Sequence, residues 1–199
     1  MYSLLIATNN PGKFAELSSL LSQLAVRIVS PADLGLQLDV EENGTTYLEN
    51  SALKAVAFAK AGGMLAVADD TGLEVDALGG LPGLRSARFT GEHSASDSER
   101  RALLLANLKD KPKPWSAHFH CSVSVSTPAG ERIDGAGDCP GEIIEHEMGS
   151  NGFGYDPIFM LKEIQKTMAQ LSMEEKNRLS HRARAVQAIL PDLRLLLQK

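Results

Sequence analysis

The sequence predicts an α/β fold, a mixed central sheet flanked by helices, and three observations carry that prediction. Short apolar runs alternate with segments of helical period through the first half of the chain. An alternating apolar and polar segment follows near residue 120, and helical period returns toward the C-terminal end. Strands separated by helices make parallel βα units, whereas an alternating strand followed by a turn makes a hairpin, so the sheet should be mixed. The 199 residues fit one domain, 1–199, with room for two lobes.

The elements follow in order. Tyr2 to Ala7 is apolar enough for a buried strand, and the polar, turn-prone tract Thr8-Asn9-Asn10-Pro11-Gly12-Lys13 ends it. Asn10 before Pro11 reads as an N-cap followed by proline in the first turn, and Phe14, Leu17, Leu20, Leu21 and Leu24 recur at helical spacing. Thr46 and Glu49 form a capping box for a second helix ending near Gly62-Gly63, with Leu48, Ala52, Ala55 and Ala59 as its apolar stripe. Met64 to Val67 reads as a short buried strand that gives way to a turn at Asp69-Asp70-Thr71-Gly72. A third helix starts at Ser96 or Asp97, carries Leu103, Leu104 and Leu108, and stops before Lys111-Pro112-Lys113-Pro114.

Phe119, Cys121, Val123 and Val125 alternate with His118, His120, Ser122, Ser124 and Ser126, which predicts a half-solvated strand. The turn Thr127 to Gly130 returns it into a partner spanning Glu131 to Asp138. A glycine-rich loop from Gly149 to Gly154 precedes the apolar run Ile158-Phe159-Met160. Ser172 and Glu175 form another capping box, and Leu179, Ala183, Val186 and Leu190 keep helical spacing. Ser180, His181 and Arg182 are consecutive, and each residue advances about 100° around a helix, so one regular helix cannot aim all three alike. A break is expected, with Ser180 capping a new helix.

A net charge of −5 disfavours a broad polyanion-binding surface and leaves room for a local pocket for one small anion, so a nucleotide monomer suits the chain better than a nucleic acid polymer. No stretch approaches the roughly 20 apolar residues of a membrane span, and the first residues do not read as a secretory signal, so a cytoplasmic protein is expected. Two cysteines, Cys121 and Cys139, are too few for a disulfide framework and lack C-x-x-C spacing.

Several groups can carry chemistry. Asp69 and Asp70 follow an apolar strand, where open α/β sheets collect ligands, and successive strand residues point to opposite faces. One suits a metal ligand or general base; the other suits orienting its neighbours or closing the turn. The Thr8 to Lys13 tract, between strand and helix, offers backbone amides and a lysine to phosphate, although neither a Walker sequence nor G-x-G-x-x-G is present. Asp39, Glu41 and Glu42 form a second acidic cluster; a glutamate of it meeting Asp70 would make a Mg²⁺ site, with Lys54 aimed at the same place. Phe153-Gly154-Tyr155-Asp156 combines an aromatic face with a carboxylate, as base stacking requires, and Lys176, Ser180, His181 and Arg182 cluster near the last helix. His118 and His120, with His93, read as a polar strand face rather than a metal site, and no base is linked to either cysteine.

Thr8-x-Asn10-x-x-Lys13, Ala68-Asp69-Asp70-Thr71-Gly72-Leu73, Phe153-Gly154-Tyr155-Asp156-Pro157 and Ser180-His181-Arg182 together resemble the inosine triphosphate pyrophosphatase family. Gly79-Gly80-Leu81-Pro82-Gly83 and Ser86-Ala87-Arg88-Phe89 extend the resemblance, which covers nearly the whole chain in the same order. Asn9 stands where the family often has Gly, and Thr71 where it has Ser.

The resemblance implies an elongated sheet with an active-site cleft between two lobes, a homodimer, and hydrolysis of noncanonical purine nucleoside triphosphates (ITP, dITP, XTP) to the monophosphate and pyrophosphate. It implies Asp70 as proton acceptor and Mg²⁺ ligand, with Glu42, ahead of Glu41, as the second ligand. Thr8, Asn9, Asn10, Pro11, Gly12, Lys13 and Thr71 would hold phosphates and sugar, with Lys54 a further phosphate contact. Phe153, Gly154, Tyr155, Asp156, Lys176, His181 and Arg182 would hold the base, with Ser180 shaping their turn. A pyrophosphatase acting on pyrimidine or canonical nucleotides is the enzymatic rival, which the Phe153 loop and Ser180-His181-Arg182 disfavour. A non-catalytic nucleotide sensor is the other, and it would not need both Asp70 and a metal glutamate.

Overall fold

A computed structural model of the chain describes residues 2–92 and 94–198. Its strands are Tyr2–Ile6 (β1), Val26–Val29 (β2), Leu65–Val75 (β3), Pro82–Gly83 (β4), Trp115–Ser126 (β5), Arg132–Ile143 (β6), Phe159–Leu161 (β7) and Lys166–Thr167 (β8). The helices are Pro11–Leu21 (α1), Tyr47–Gly62 (α2), Asp97–Leu108 (α3), Met173–Leu179 (α4) and His181–Leu196 (α5). One eight-stranded sheet runs in the order β2-β1-β3-β5-β6-β7-β8, with β4 paired to β3. It is mixed, as expected: β1 pairs in parallel with β2 and β3, while β3–β4, β6–β7 and β7–β8 are antiparallel.

The chain forms two compact units, one of residues 1–70, 121–137 and 180–199, the other of 71–120 and 138–179. In the first, Leu17, Leu20 and Leu21 of α1 and Ala183, Val186, Ile189, Leu190 and Leu193 of α5 pack with Leu4, Ile6, Val67, Cys121, Val123 and Val125. Burying one such Leu or Ile contributes about 1.5–3 kcal/mol, so this layer is the main stabiliser of the unit. Ala55, Phe58 and Ala59 of α2 pack with Leu5, Ala7, Ala66 and Ala68 in a separate cluster. On β3 the even-numbered Ala66 and Ala68 therefore face α2 and odd-numbered Val67 faces α1 and α5, whereas on β1 Leu5 faces α2 and Leu4 and Ile6 face α1 and α5. Gly137 of β6 passes so close to α5 that a Cβ there would lie 2.5 Å from the His181 carbonyl oxygen, which is why the strand carries glycine beneath the helix start. The second unit is built around Leu73, Val75, Leu104, Leu108, Trp115, Phe119, Ile158, Phe159 and Met168.

The caps behave as local chemistry predicts. Asn10 accepts the Lys13 amide, Thr46 and Ser96 form capping boxes with Glu49 and Glu99, and the helix breaks at Ser180, which accepts the Ala183 amide. Four expectations need correction. The strand through the aspartates does not turn at Thr71-Gly72 but continues to Val75, because Leu73 and Glu74 gain β4 as a partner and Leu73 and Val75 fill a core. Leu48 lies outside the apolar stripe of α2 at 40% exposure, and Phe58 takes its place. Leu24 lies beyond the end of α1 yet remains buried. The serine face of β5 is solvated only near its start, since Ser122, Ser124 and Ser126 are buried and Ser124 Oγ meets Ser51 Oγ of α2 at 2.9 Å. The short strands β2 and β8 carry too few residues to show a period and were not anticipated.

Candidate active site

The pleat of β3 separates the paired aspartates. Asp70 shares its face with Ala66 and Ala68 and points at α2, where Asn50 and Lys54, one helical turn apart, meet it. Asn50 Nδ2 donates to Asp70 Oδ2 at 3.1 Å, and Lys54 Nζ lies 3.9 Å from Asp70 Oδ1 and 3.0 Å from Glu42 Oε1. Two carboxylates thus converge on one ammonium, and Glu42 rather than exposed Glu41 or Asp39 is the acidic residue brought to Asp70. Burial raises the pKa of Asp70, aided by the Glu42 charge and opposed by Lys54, Lys13 and the Asn50 hydrogen bond.

Asp69 shares its face with Val67 and points the other way. Its Oδ2 accepts Arg182 Nε at 3.0 Å and Nη2 at 2.9 Å, and Lys13 Nζ lies 3.3 Å away. Arg182 also pairs through Nη1 with Glu16 of α1, and all three of Asp69, Arg182 and Glu16 are buried. Burial opposes ionisation of Asp69, but the Lys13 and Arg182 charges outweigh it and hold its carboxyl far below the usual range. Burial likewise works against the Arg182 charge, and Asp69 and Glu16 overcome it.

The loop from Thr8 to Lys13 is held by its own side chains. Thr8 Oγ1 accepts the Asn10 amide at 3.1 Å and Asn10 Oδ1 accepts the Lys13 amide at 3.0 Å, leaving Asn9, Asn10 and Pro11 exposed at the start of α1. Lys13 connects this loop to Asp69. Thr71 follows Asp70 along β3 and is half-buried.

In the second unit, Phe153 to Asp156 and Lys176 form one cluster. Lys176 Nζ donates to Asp156 Oδ2 at 2.5 Å and lies 5.3 Å from the Phe153 ring centre, while the same Oδ2 accepts the Phe153 amide at 3.0 Å. Gly152, with φ +75°, must be glycine because a Cβ there would meet the Asp156 carboxylate and lie 3.0 Å from Lys176 Nζ. Tyr155 donates its hydroxyl to the Ser86 carbonyl at 3.0 Å, and Ser86 Oγ accepts the Leu73 amide at 2.8 Å. The Ser86 segment therefore braces both β3 and the 153–156 loop. Burial pushes the Tyr155 phenol well up, so it serves as a donor and not as an anion.

Asn50, Glu16, Asp97 and Arg101 contact these candidate residues, and the sequence did not single them out. A signal existed only for Asn50, which stands four residues before Lys54 on α2. Its carboxamide oxygen accepts the Gly44 amide at 2.8 Å, which fixes the amide's orientation toward Asp70. No group of three or more His, Cys, Asp or Glu suited to a metal occurs among the described residues. His118 pairs with Glu74 at 3.5 Å and His120 with Asp138 at 2.7 Å, a polar strand face as expected, and His93 lies outside the described residues. Both cysteines are buried and unlinked to each other.

Residues 4–192 match the Ham1 family, and the chain belongs to it. It is 45% identical over 197 residues to the dITP/XTP pyrophosphatase of Shigella flexneri, covering 98% of this chain and 99% of that one. Against the Bacillus subtilis dITP/XTP pyrophosphatase the identity is 42% over 190 residues, covering 95% and 96%. Among solved structures, the Ham1 protein of Staphylococcus aureus has a TM-score of 0.82 at 40% identity, covering 99% of this chain and 100% of that one. A HAM1 protein from Coxiella burnetii has a TM-score of 0.84 at 36% identity, covering 100% and 99%.

Proposed function

We propose that this chain hydrolyses the noncanonical purine nucleoside triphosphates ITP, dITP and XTP to the monophosphate and pyrophosphate, clearing them from the nucleotide pool. Its similarity to proteins named dITP/XTP pyrophosphatase supports the substrate class. The observation that carries the chemistry is Asp70: a buried carboxylate of raised proton affinity, oriented by Asn50, with Lys54 and Glu42 beside it. Raised proton affinity brings a carboxylate closer to the pKa of an efficient general base.

The reaction follows from these groups. Asp70 takes a proton from water as the water oxygen bonds to the α-phosphorus, and the bond from the α-phosphorus to the bridging oxygen breaks, releasing pyrophosphate. Lys54 and Lys13 supply positive charge for phosphate oxygens, and the exposed loop Thr8, Asn9, Asn10, Pro11 and Gly12, with Thr71, supplies polar contacts to phosphate and sugar. The convergence of Glu42 and Asp70 on one cationic group fits Mg²⁺, which commonly uses one or two carboxylates with substrate phosphates and waters. When bound, Mg²⁺ would neutralise charge on the triphosphate and the departing pyrophosphate.

Base recognition belongs in this reading to Phe153, Gly154, Tyr155, Asp156 and Lys176, with Ser180 and His181 at the start of α5 and Arg182 acting from its ion pair with Asp69. A donor placed for a 6-keto oxygen is left unpaired by the 6-amino group of adenine, which discriminates strongly. A cytoplasmic homodimer completes the proposal. The test is pyrophosphate release with Mg²⁺ across a nucleotide panel: dITP, XTP and ITP should turn over much faster than ATP. Orthophosphate as the product would overturn the α-phosphorus reaction.

A further inference from the structure

Asp97 and Arg101 lie four residues apart on α3 and therefore share a face, and both reach the backbone of one residue of the 153–156 loop. Asp97 Oδ2 accepts the Gly154 amide at 2.7 Å, and Arg101 Nη1 donates to the Gly154 carbonyl at 2.8 Å. Each anchor is itself held in place. The Ser96 capping box fixes the helix start at Asp97, Arg100 pairs with the other Asp97 oxygen, and Arg101 makes a two-pronged pair with Glu147 at 2.7 and 2.9 Å. Gly154 has a φ of +61° and belongs to no helix or strand, so its backbone groups depend on such outside partners. Both bonds are charge-assisted and stronger than neutral ones.

We propose that Asp97 and Arg101 are positioning residues for purine recognition: by gripping the Gly154 amide and the Gly154 carbonyl, α3 fixes the loop that presents the Phe153 ring and the Asp156 carboxylate. This rests on the reading of Phe153 to Asp156 as base-binding residues. Neither residue touches the reacting phosphate, so the effect falls on base binding and leaves the chemical step alone. A contact made equally in ground and transition states changes KM without changing kcat.

The test uses the full chain with three variants. Asp97→Ala should raise KM for dITP about tenfold with kcat within about twofold, and should accelerate hydrogen exchange at the Gly154 amide at least about tenfold, as loss of one charge-assisted bond implies. Asp97→Asn keeps an acceptor oxygen and should restore most of both; Arg101→Ala should raise KM in the same direction. KM within about twofold of the unaltered chain in both alanine variants would overturn the proposal. So would a fall in kcat that tracks a lower melting temperature and is not rescued by Asn. If the unaltered chain fails to turn over dITP, the substrate reading falls on its own, and calorimetric binding of IMP then decides the positioning role: weakened in Asp97→Ala supports it, unchanged overturns it.

Discussion

Asp69 and Asp70 are covalent neighbours on one strand, yet their surroundings are opposite in kind. Asp69 is enclosed between α1 and α5 by two cations and is ionised more readily than any free carboxyl, whereas Asp70 faces α2, keeps an amide donor and a more distant lysine, and holds its proton more tightly. The difference comes from the two-residue period of the strand, which sends adjacent side chains to opposite faces of the sheet. A carboxylate surrounded by matched charge is a structural anchor; one whose proton affinity is raised by burial is a candidate for proton transfer.

The comparison is broken most directly at Asp70. Asp70→Asn should lower kcat for dITP by about 10²- to 10⁴-fold, the usual contribution of a general base, while the melting temperature stays level or rises because a buried charge is removed. Near-normal pyrophosphate release would take Asp70 out of the reaction. Asp69→Ala should do the reverse to the fold, costing about 3–5 kcal/mol in urea unfolding because Arg182 loses the buried carboxylate oxygen that accepts two of its N–H groups. An unchanged urea midpoint would mean that Glu16 alone suffices to hold Arg182.

The pH dependence of stability sharpens the contrast through its sign. Asp69 has a depressed folded pKa, so its contribution is present above its unfolded value of about 3.9 and is lost as pH falls below it. Asp70 has a raised folded pKa, so its contribution is full below about 3.9 and is lost as pH rises through the folded value. Urea unfolding across a pH series should therefore show a shallower acid decline in Asp69→Asn and a shallower loss with rising pH in Asp70→Asn. Identical profiles for the two variants would erase the distinction.

How much of this was legible in the chain depended on sequence separation. The caps at Asn10, Thr46, Ser96 and Ser180 bond to amides three residues away, so their chemistry is local and the helix starts could be read directly. Arg182 reaches Asp69 across 113 positions and Glu16 across 166, and nothing near any of the three predicts the others. Asp-Asp-Thr-Gly has turn chemistry, and only the presence of β4 beside Leu73 and Glu74 carries the strand through it. Lys54 and Glu42 were legible as candidates because they flank one helix start, but their convergence on Asp70 needed the sheet to bring β3 alongside α2.

The smallest expected effect comes from a histidine–carboxylate hydrogen bond that matches the Lys13–Asp69 pair in closeness but not in setting. His120 and Asp138 approach to 2.7 Å, closer than Lys13 and Asp69, yet their side chains are 23% and 61% exposed against 18% and 1%. Water screens the exposed pair and frees its side chains when the contact breaks, so its worth is about 0–1 kcal/mol. His120→Ala should shift the urea midpoint at neutral pH by less than one-third of the Asp69→Ala shift and leave dITP turnover unchanged. A shift as large as that of Asp69→Ala would show that distance, and not enclosure, sets the strength of these pairs, and the contrast between the two aspartates would lose its physical basis.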